Sequence, residues 1–314
     1  MTNSHTTCDV LLATYNGQQF IGELLDSLLA QNHPDFRLVV RDDGSSDATM
    51  AILRDYQPRF GGRMDIAEDA TPTGSPMLNF EKLMQRSTAD HILFCDQDDV
   101  WLPNRVAASV AMLTEAEKAH GADIPVFVFN DLVAVDGKLN PLNESYWAFK
   151  KIPPSMAKSL PQCLITSPIL GCSAGVNRAL VQRALPIHPK AVYHDWWALH
   201  VALLFGHVAW SDEKTVLYRL HGNNASAQKR VSLLDYIRYP KPFARVRNGL
   251  KKKAQNADAL LQTYRADMPD RTRRMFEDFA RISQMGFLRR RITLLKWGLV
   301  YPDFRRNIAF FLSL

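Results

Sequence analysis

Between Asp96 and Asp99 the chain places three carboxylates within four residues, Asp96-Gln97-Asp98-Asp99. Three anions this close repel one another, and a hard divalent cation that prefers oxygen ligands is the natural compensation. The preceding run, His91-Ile92-Leu93-Phe94-Cys95, is short and apolar, as a buried strand is. At the end of such a strand Asp96 and Asp98 share one side and Gln97 takes the other, so two carboxylates can share one ion. The competing reading is a solvated acidic turn that caps the helix after Trp101-Leu102-Pro103.

Two other strand ends carry polar residues. Asp9-Val10-Leu11-Leu12-Ala13-Thr14 reads as a buried strand and runs into Tyr15-Asn16-Gly17. Phe36-Arg37-Leu38-Val39-Val40-Arg41 reads as a second and runs into Asp42-Asp43-Gly44-Ser45-Ser46-Asp47. Between them Phe20, Ile21, Leu24, Leu25, Leu28 and Leu29 recur at helical spacing. A further helix follows over 48–56, with Ser45 or Ser46 as its cap. This β-α-β-α order predicts a parallel sheet, and ligands bind outside the carboxyl ends of such strands. A carboxylate at the second strand end can accept from a nucleobase imide or a ribose hydroxyl, and the Tyr15 ring can stack on a base. The third strand end would hold a metal against a pyrophosphate. Asp42 and Asp43 could equally be a turn and helix cap. No G-x-G-x-x-G follows the first strand and no G-x-x-x-x-G-K-[ST] occurs, which disfavours a dinucleotide oxidoreductase and a P-loop NTPase.

Further elements must frame these ends. A third strand is expected near 64–67, a helix over 78–86 and another from Pro103. Residues 125–135 alternate apolar and polar before the turn signal Asp136-Gly137. The aromatic, proline-rich stretch 139–160 suits a loop that covers substrate. Gly171 and Gly175 punctuate an apolar run, either for close packing or as an acceptor-facing loop. Tyr193-His194-Asp195-Trp196-Trp197 opens an apolar helix, at whose N-terminus the dipole should keep Asp195 ionised. Asp195 could also serve only as a cap, His221 only as an edge-strand histidine, and Trp101, Trp196 and Trp197 as core. A last strand spans 216–221 and Gly222-Asn223-Asn224 ends it.

The bulk numbers describe an ordinary globular chain of 314 residues, 46% hydrophobic and 22% charged. Four cysteines are scattered without a C-x-x-C pair, which speaks against zinc and a disulfide framework and fits a reducing compartment. No signal peptide and no run of 18 apolar residues is visible. From Lys229 onward there are 20 Lys and Arg against 7 Asp and Glu, leaving 18 against 25 in residues 1–228. We therefore expect a catalytic domain over 1–228 and a basic amphipathic helical region over 229–314. The latter carries Phe243, Val246, Leu250, Met275, Phe279, Ile282 and Met285 at helical spacing, then apolar and aromatic residues beside arginines. Such a mixture suits a membrane interface, or a helical hairpin packed on the body. An anionic partner fits its charge, but no nucleic-acid-binding motif occurs.

Leu11 to Gly17 (LLATYNG), Val39 to Asp47 (VVRDDGSSD) and Leu93 to Trp101 (LFCDQDDVW), in that order, resemble a family 2 glycosyltransferase of GT-A fold. The likeness is clear over residues 9–105 and extends weakly to His221-Gly222-Asn223-Asn224. The DQDDVW and HGNN forms are most similar to rhamnosyltransferase-type members that build bacterial surface polysaccharides. The resemblance implies a mostly parallel Rossmann-like sheet flanked by helices. It also implies that Thr14, Tyr15, Asn16, Asp42 and Asp43 line the donor pocket, with Asp42 reading the nucleobase. Asp96 and Asp98 match the D-x-D motif that holds Mg²⁺ or Mn²⁺ on the donor diphosphate, His221 matches the histidine completing that site, and Asp99 would meet donor-sugar hydroxyls. Asp195 falls where the family has its general base, with Gly171 and Trp196 toward the acceptor; His194 stands where the family often has Glu. The Q-x-x-R-W of processive synthases is absent, so single-sugar transfer with inversion is implied. The donor would be dTDP-rhamnose, or another such as a UDP-hexose, and the acceptor lipid-linked or a growing polysaccharide at the cytoplasmic face of the inner membrane. A non-catalytic nucleotide- or glycan-binding protein of the same fold is the alternative.

Overall fold

Strands apolar at every position lie in the middle of a sheet, because helices cover both of their faces. The computed structural model describes residues 7–69, 71–221 and 241–314, without the side chains of 241–245. The elements run β1 (Cys8–Thr14), α1 (Ile21–Leu29), β2 (Arg37–Asp42), α2 (Thr49–Tyr56), β3 (Met64–Ile66), α3 (Pro76–Arg86), β4 (His91–Asp96), β5 (Val100–Trp101) and α4 (Arg105–His120). There follow β6 (Val126–Val135), β7 (Pro141–Asn143), α5 (Tyr146–Lys150), α6 (Leu160–Ile165), β8 (Ala174–Asn177), α7 (Arg178–Ala184), α8 (His194–Phe205) and β9 (His207–Arg219). The last helices are α9 (Lys241–Tyr264), α10 (Asp270–Ala280), α11 (Phe287–Lys296) and α12 (Phe304–Ser313).

The described residues form two compact units. The first comprises 1–150, 169–187 and 193–222, and the second 151–168, 188–192 and 223–314. The boundary expected at 228/229 lies outside the described residues, as do Gly222, Asn223 and Asn224.

In the first unit nine strands form one sheet, ordered β3-β2-β1-β4-β8-β6-β9-β5, with β7 on β6. The β3-β2-β1-β4 half is parallel; β8 runs antiparallel to both β4 and β6, and β9 runs parallel to β6. The register sets Thr14 beside Asp42 and Ala13 beside Asp96, so β1, β2 and β4 end at one level. Helices hold that level by packing one apolar stripe on the sheet. In α1 the stripe is Ile21, Leu24, Leu25 and Leu28, all buried. In α3 it is Met77, Phe80, Leu83 and Met84. Each such side chain contributes about 1.5–3 kcal/mol on burial, and Leu25→Ala would cost about 2–5 kcal/mol.

Some boundaries differ from the sequence expectation. β9 begins at His207, well before Val216, because it pairs along β6 from Val126 to Val135. Neither Ser45 nor Ser46 caps α2; Asp47 accepts from the Thr49 N–H at 3.0 Å, while the Ser45 hydroxyl turns to Asp42. In the second unit the helical region expected over 229–314 is divided into several helices. α10 stops at Ala280, a 3-10 turn spans Ile282–Gln284, and Gly286 begins α11 as its N-cap. Leu250 and Leu260 of α9 and Phe276 and Phe279 of α10 are buried, while the side chain of Phe243 lies outside the described residues.

Candidate active site

The aligned strand ends bring the predicted residues of β1, β2 and β4 together. The Thr14 hydroxyl donates to Asp42 Oδ1 at 2.8 Å. Asp42 also accepts from the Ser45 hydroxyl (2.6 Å) and from the N–H groups of Ser45 (2.7 Å) and Gly44 (3.1 Å). Gly44 has φ +86°, and a Cβ there would lie 2.8 Å from Pro72 Cγ, so the turn requires glycine. Asp42 keeps part of its surface open. Asp43 does not: it is buried and accepts from Arg41 Nη1 (3.0 Å), the Thr73 N–H (2.6 Å) and hydroxyl (3.1 Å), and the Gly74 N–H (2.8 Å). Burial opposes its ionisation, but the bonds from Thr73, Arg41 and Gly74 outweigh this and hold it below the usual carboxylate range. With both oxygens engaged by protein, Asp43 moors the loop after β3 to β2. Tyr15 stands 58% exposed, its ring uncovered above the strand ends. Asn16 (φ 48°) accepts from the Ser46 N–H at 2.9 Å and keeps the turn closed.

The acidic turn after β4 is split by depth. Asp96 is half-buried, and burial together with the charges of Asp98 and Asp195 pushes its carboxyl up. Asp98 and His221 are each half-buried, their side chains 20% exposed, with His221 Nε2 2.7 Å from Asp98 Oδ2. Asp99 is 0% exposed. Its Oδ1 accepts the Arg219 N–H at 3.0 Å, and burial drives its pKa well up. Asp99 thereby anchors the turn on β9. Carboxyl oxygens of Asp96 and Asp99 and the Cys172 sulfur lie within 4.8 Å of one another. Burial and the neighbouring carboxylates push the Cys172 thiol well above its ordinary range, so it stays protonated. Asp96, Asp98 and His221 offer the oxygen and imidazole donors that Mg²⁺ or Mn²⁺ accepts, and the raised Asp96 marks a cluster short of positive charge.

Asp195 sits in the first turn of α8, 8% exposed. It accepts from the Trp196 N–H at 2.8 Å and from the Gly171 N–H. The helix N-terminus was expected to keep its pKa low. Burial instead pushes it up to about 6, and the hydrogen bonds from Trp196, its own N–H and Gly171 recover only part of that. Gly171 thus belongs to the setting of Asp195. Trp196 is half-buried, its ring edge-on to Tyr193 at 5.7 Å. His194 stacks on Phe80 at 3.8 Å, and burial lowers its pKa to about 3, so it stays neutral and packs as core. Trp197 is core as well, donating to the Ala184 carbonyl at 2.8 Å.

Residues 9–181 match the family described as glycosyl transferase family 2. The chain is a family 2 glycosyltransferase. Among curated proteins it is similar to the dTDP-rhamnosyl transferase RfbG of Shigella flexneri, 23% identical over 259 residues, covering 76% of this chain and 84% of that one. It is 22% identical over 220 residues to an uncharacterized glycosyltransferase of Nostoc, covering 68% of this chain and 65% of that one. The poly(ribitol-phosphate) β-N-acetylglucosaminyltransferase TarS of Staphylococcus aureus is 29% identical over 117 residues, 37% of this chain and 19% of TarS. A crystal structure of TarS 1–349 with UDP-GlcNAc aligns with TM-score 0.55 at 18% identity, covering 94% of this chain and 93% of that one. That likeness bears out the expected α/β fold.

Two further residues of this glycosyltransferase escaped sequence reasoning. Gln97, expected only to face away from Asp96 and Asp98, exchanges two hydrogen bonds with the Tyr15 backbone, each 2.9 Å. Because β4 ends at Asp96, strand alternation no longer applies to it. Arg219 is 1% exposed at the end of β9. It donates to the carbonyls of Asp98 and Gly137, each at 2.8 Å, reaches Glu23, and lies 4.5 Å over the Phe20 ring. Its only sequence signal is a charge in an apolar strand.

Proposed function

We propose that this glycosyltransferase moves one sugar, with inversion, from a nucleotide-diphosphate donor to a lipid-linked or polysaccharide acceptor, and that the donor is dTDP-rhamnose. The observation that carries the reading is the opposition of two kinds of carboxyl group. Asp96 and Asp98 form an anionic cluster that needs a cation, and Asp195, buried and raised to about 6, is close enough to raise Asp96.

In this reading Tyr15 stacks on the base and Asp42 takes a hydrogen bond from it or its ribose. Asp98, His221 and Asp96 hold Mg²⁺ or Mn²⁺, which when bound stabilises charge on the leaving diphosphate. Asp195 receives the proton of the acceptor hydroxyl as that oxygen attacks the anomeric carbon. A carboxyl near pKa 6 is a stronger base than an ordinary aspartate and is still largely deprotonated at neutral pH. The Gly171 and Trp196 N–H groups fix its orientation. No second nucleophile is invoked, so a single displacement inverts the anomeric centre. Similarity to a dTDP-rhamnosyl transferase over most of both chains supports the donor; similarity to TarS makes UDP-GlcNAc the competing donor to test. A lipid-linked acceptor would put the reaction at the cytoplasmic face of the membrane. Among the described residues no helix is long and apolar enough to cross one.

Thermal shift with a panel of nucleotide sugars, with Mn²⁺ and with EDTA, tests the reading. We expect dTDP-rhamnose to raise Tm only with the metal present, since a ligand of the native state alone stabilises it. A larger shift with UDP-GlcNAc reassigns the donor, and a shift that survives EDTA removes the metal.

A further inference from the structure

The second unit carries an apolar surface with no internal use. α11 and α12 each turn one face inward: Thr293 and Leu294 of α11 and Phe310 and Ser313 of α12 are buried. The two helices are tied at their ends, where Arg290 Nη1 donates to the Leu314 carbonyl at 2.9 Å and Arg291 donates to that of Phe311. Yet each helix has a second apolar stripe. On α11 it is Leu288, Ile292 and Leu295, at i, i+4 and i+7, each at least 63% exposed. On α12 it is Phe304, Ile308 and Leu312, at i, i+4 and i+8, between 44% and 76% exposed. These six are most of the exposed large hydrophobic side chains among the described residues. A helix needs one apolar stripe to pack, and a second one costs solubility unless something covers it.

The charges beside the stripes identify what covers them. Residues 287–314 hold Arg289, Arg290, Arg291, Lys296, Arg305 and Arg306 against the single acid Asp303. On the helical wheel Arg291 flanks one side of the α11 stripe, and Arg289 with Lys296 flanks the other; Arg305 flanks that of α12. Arg291 also lies 3.4 Å over the Phe287 ring, so cation and apolar ring share one level. An anionic bilayer presents phosphates and acyl chains at adjacent depths, which this order of side chains matches. A protein partner would need an apolar patch enclosed by an acidic rim. Each helix is 10 residues, about 15 Å long against a hydrocarbon core of about 30 Å, so it can lie in the interface and cannot span it.

We propose that the outward faces of α11 and α12 seat this protein on an anionic lipid surface, their apolar stripes entering the headgroup region and Arg289 and Arg305 beside them pairing with lipid phosphates. The proposal deepens the membrane location given under the proposed function but rests on residues that the transfer reaction does not use.

The full chain is sedimented with vesicles of phosphatidylcholine alone and of phosphatidylcholine with about one third phosphatidylglycerol. Binding to the anionic vesicles only is expected. Leu288→Ser with Ile292→Ser, and separately Phe304→Ser with Leu312→Ser, should each weaken it about tenfold or more. Arg289→Gln with Arg305→Gln should weaken it and flatten its salt dependence. All six positions are exposed, so the variants keep the fold; circular dichroism and Tm verify this. Asp195→Asn should bind like the parent chain, which separates failure of this surface from failure of the catalytic reading. Unchanged binding in the three double variants overturns the proposal, as does absence of binding by the parent chain. A dimer that the apolar variants dissociate, without vesicle binding, also overturns it and assigns the face to a second copy.

Discussion

Gln97 and Tyr15 hold each other by two reciprocal hydrogen bonds of 2.9 Å, Tyr15 N–H to Gln97 Oε1 and Gln97 Nε2 to the Tyr15 carbonyl. A side-chain amide here imitates a neighbouring strand and continues the β1–β4 pairing one step beyond the sheet. It couples the exposed tyrosine to the acidic turn, and Gly17 leaves the room: a Cβ there would lie 2.3 Å from Gln97 Oε1. Gln97→Ala should therefore cost about 1–2 kcal/mol of stability, the value of two partly exposed bonds. Because Tyr15 loses its anchor, donor KM should rise more than kcat falls. Steady-state kinetics with calorimetric unfolding checks both, and an unchanged KM would refute the coupling.

Asp195 sets a pH limit. Its folded pKa is raised, so it holds a proton to higher pH than a free aspartate, and activity should be lost as pH falls through about 6. A cation bound at Asp96 and Asp98 pulls the midpoint below that value. Asp195→Asn should lower kcat by about 10²–10⁴ and remove the acid limb while donor affinity holds. A pH profile of kcat/KM on both chains decides it; an acid limb that persists in the variant places the base elsewhere.

Asp98 and His221 are expected to act as one metal-holding pair. Asp98→Asn should weaken Mn²⁺ binding at least about tenfold, and His221→Ala should weaken it to a similar extent. Isothermal titration of Mn²⁺ in the presence of nucleoside diphosphate reads this. Loss from His221→Ala with no loss from Asp98→Asn would dissolve the pair.

Arg219 supports the acidic turn from beneath. Arg219→Met removes a buried guanidinium that two carbonyls accept from, and should cost about 3–5 kcal/mol. Glu23→Gln, at the exposed end of the same ion pair, should cost less than about 1 kcal/mol. Denaturant unfolding of the two variants compares them; equal losses would mean that the ion pair, and not the carbonyl contacts, matters.

Local pattern alone located β1, β2, β4 and the polar residues at their ends, since each is an apolar run that stops at a polar turn. The same pattern identified Asp42, Asp96 and Asp98 as candidates, and the family resemblance added Asp195. Asp43 and Asp99 look equivalent to these in sequence, yet the fold closes both in, one under the loop after β3 and one against β9. Residue type fixes what a side chain can do, and only packing fixes how much water it keeps.

The amino-acid order by itself determined the β-α-β-α start, the family, the carboxylate cluster and the basic, amphipathic character of the last third, because all of these depend on neighbours within a few residues. Tertiary structure alone decided which acids keep exposed surface, that burial overrides the helix dipole at Asp195, and that Gln97 and Arg219 hold the acidic turn in place. It also decided which apolar residues of α11 and α12 remain uncovered. Those outcomes depend on contacts between residues far apart in the chain, such as Gln97 with Tyr15 and Arg219 with Asp99, and on the desolvation that such contacts impose.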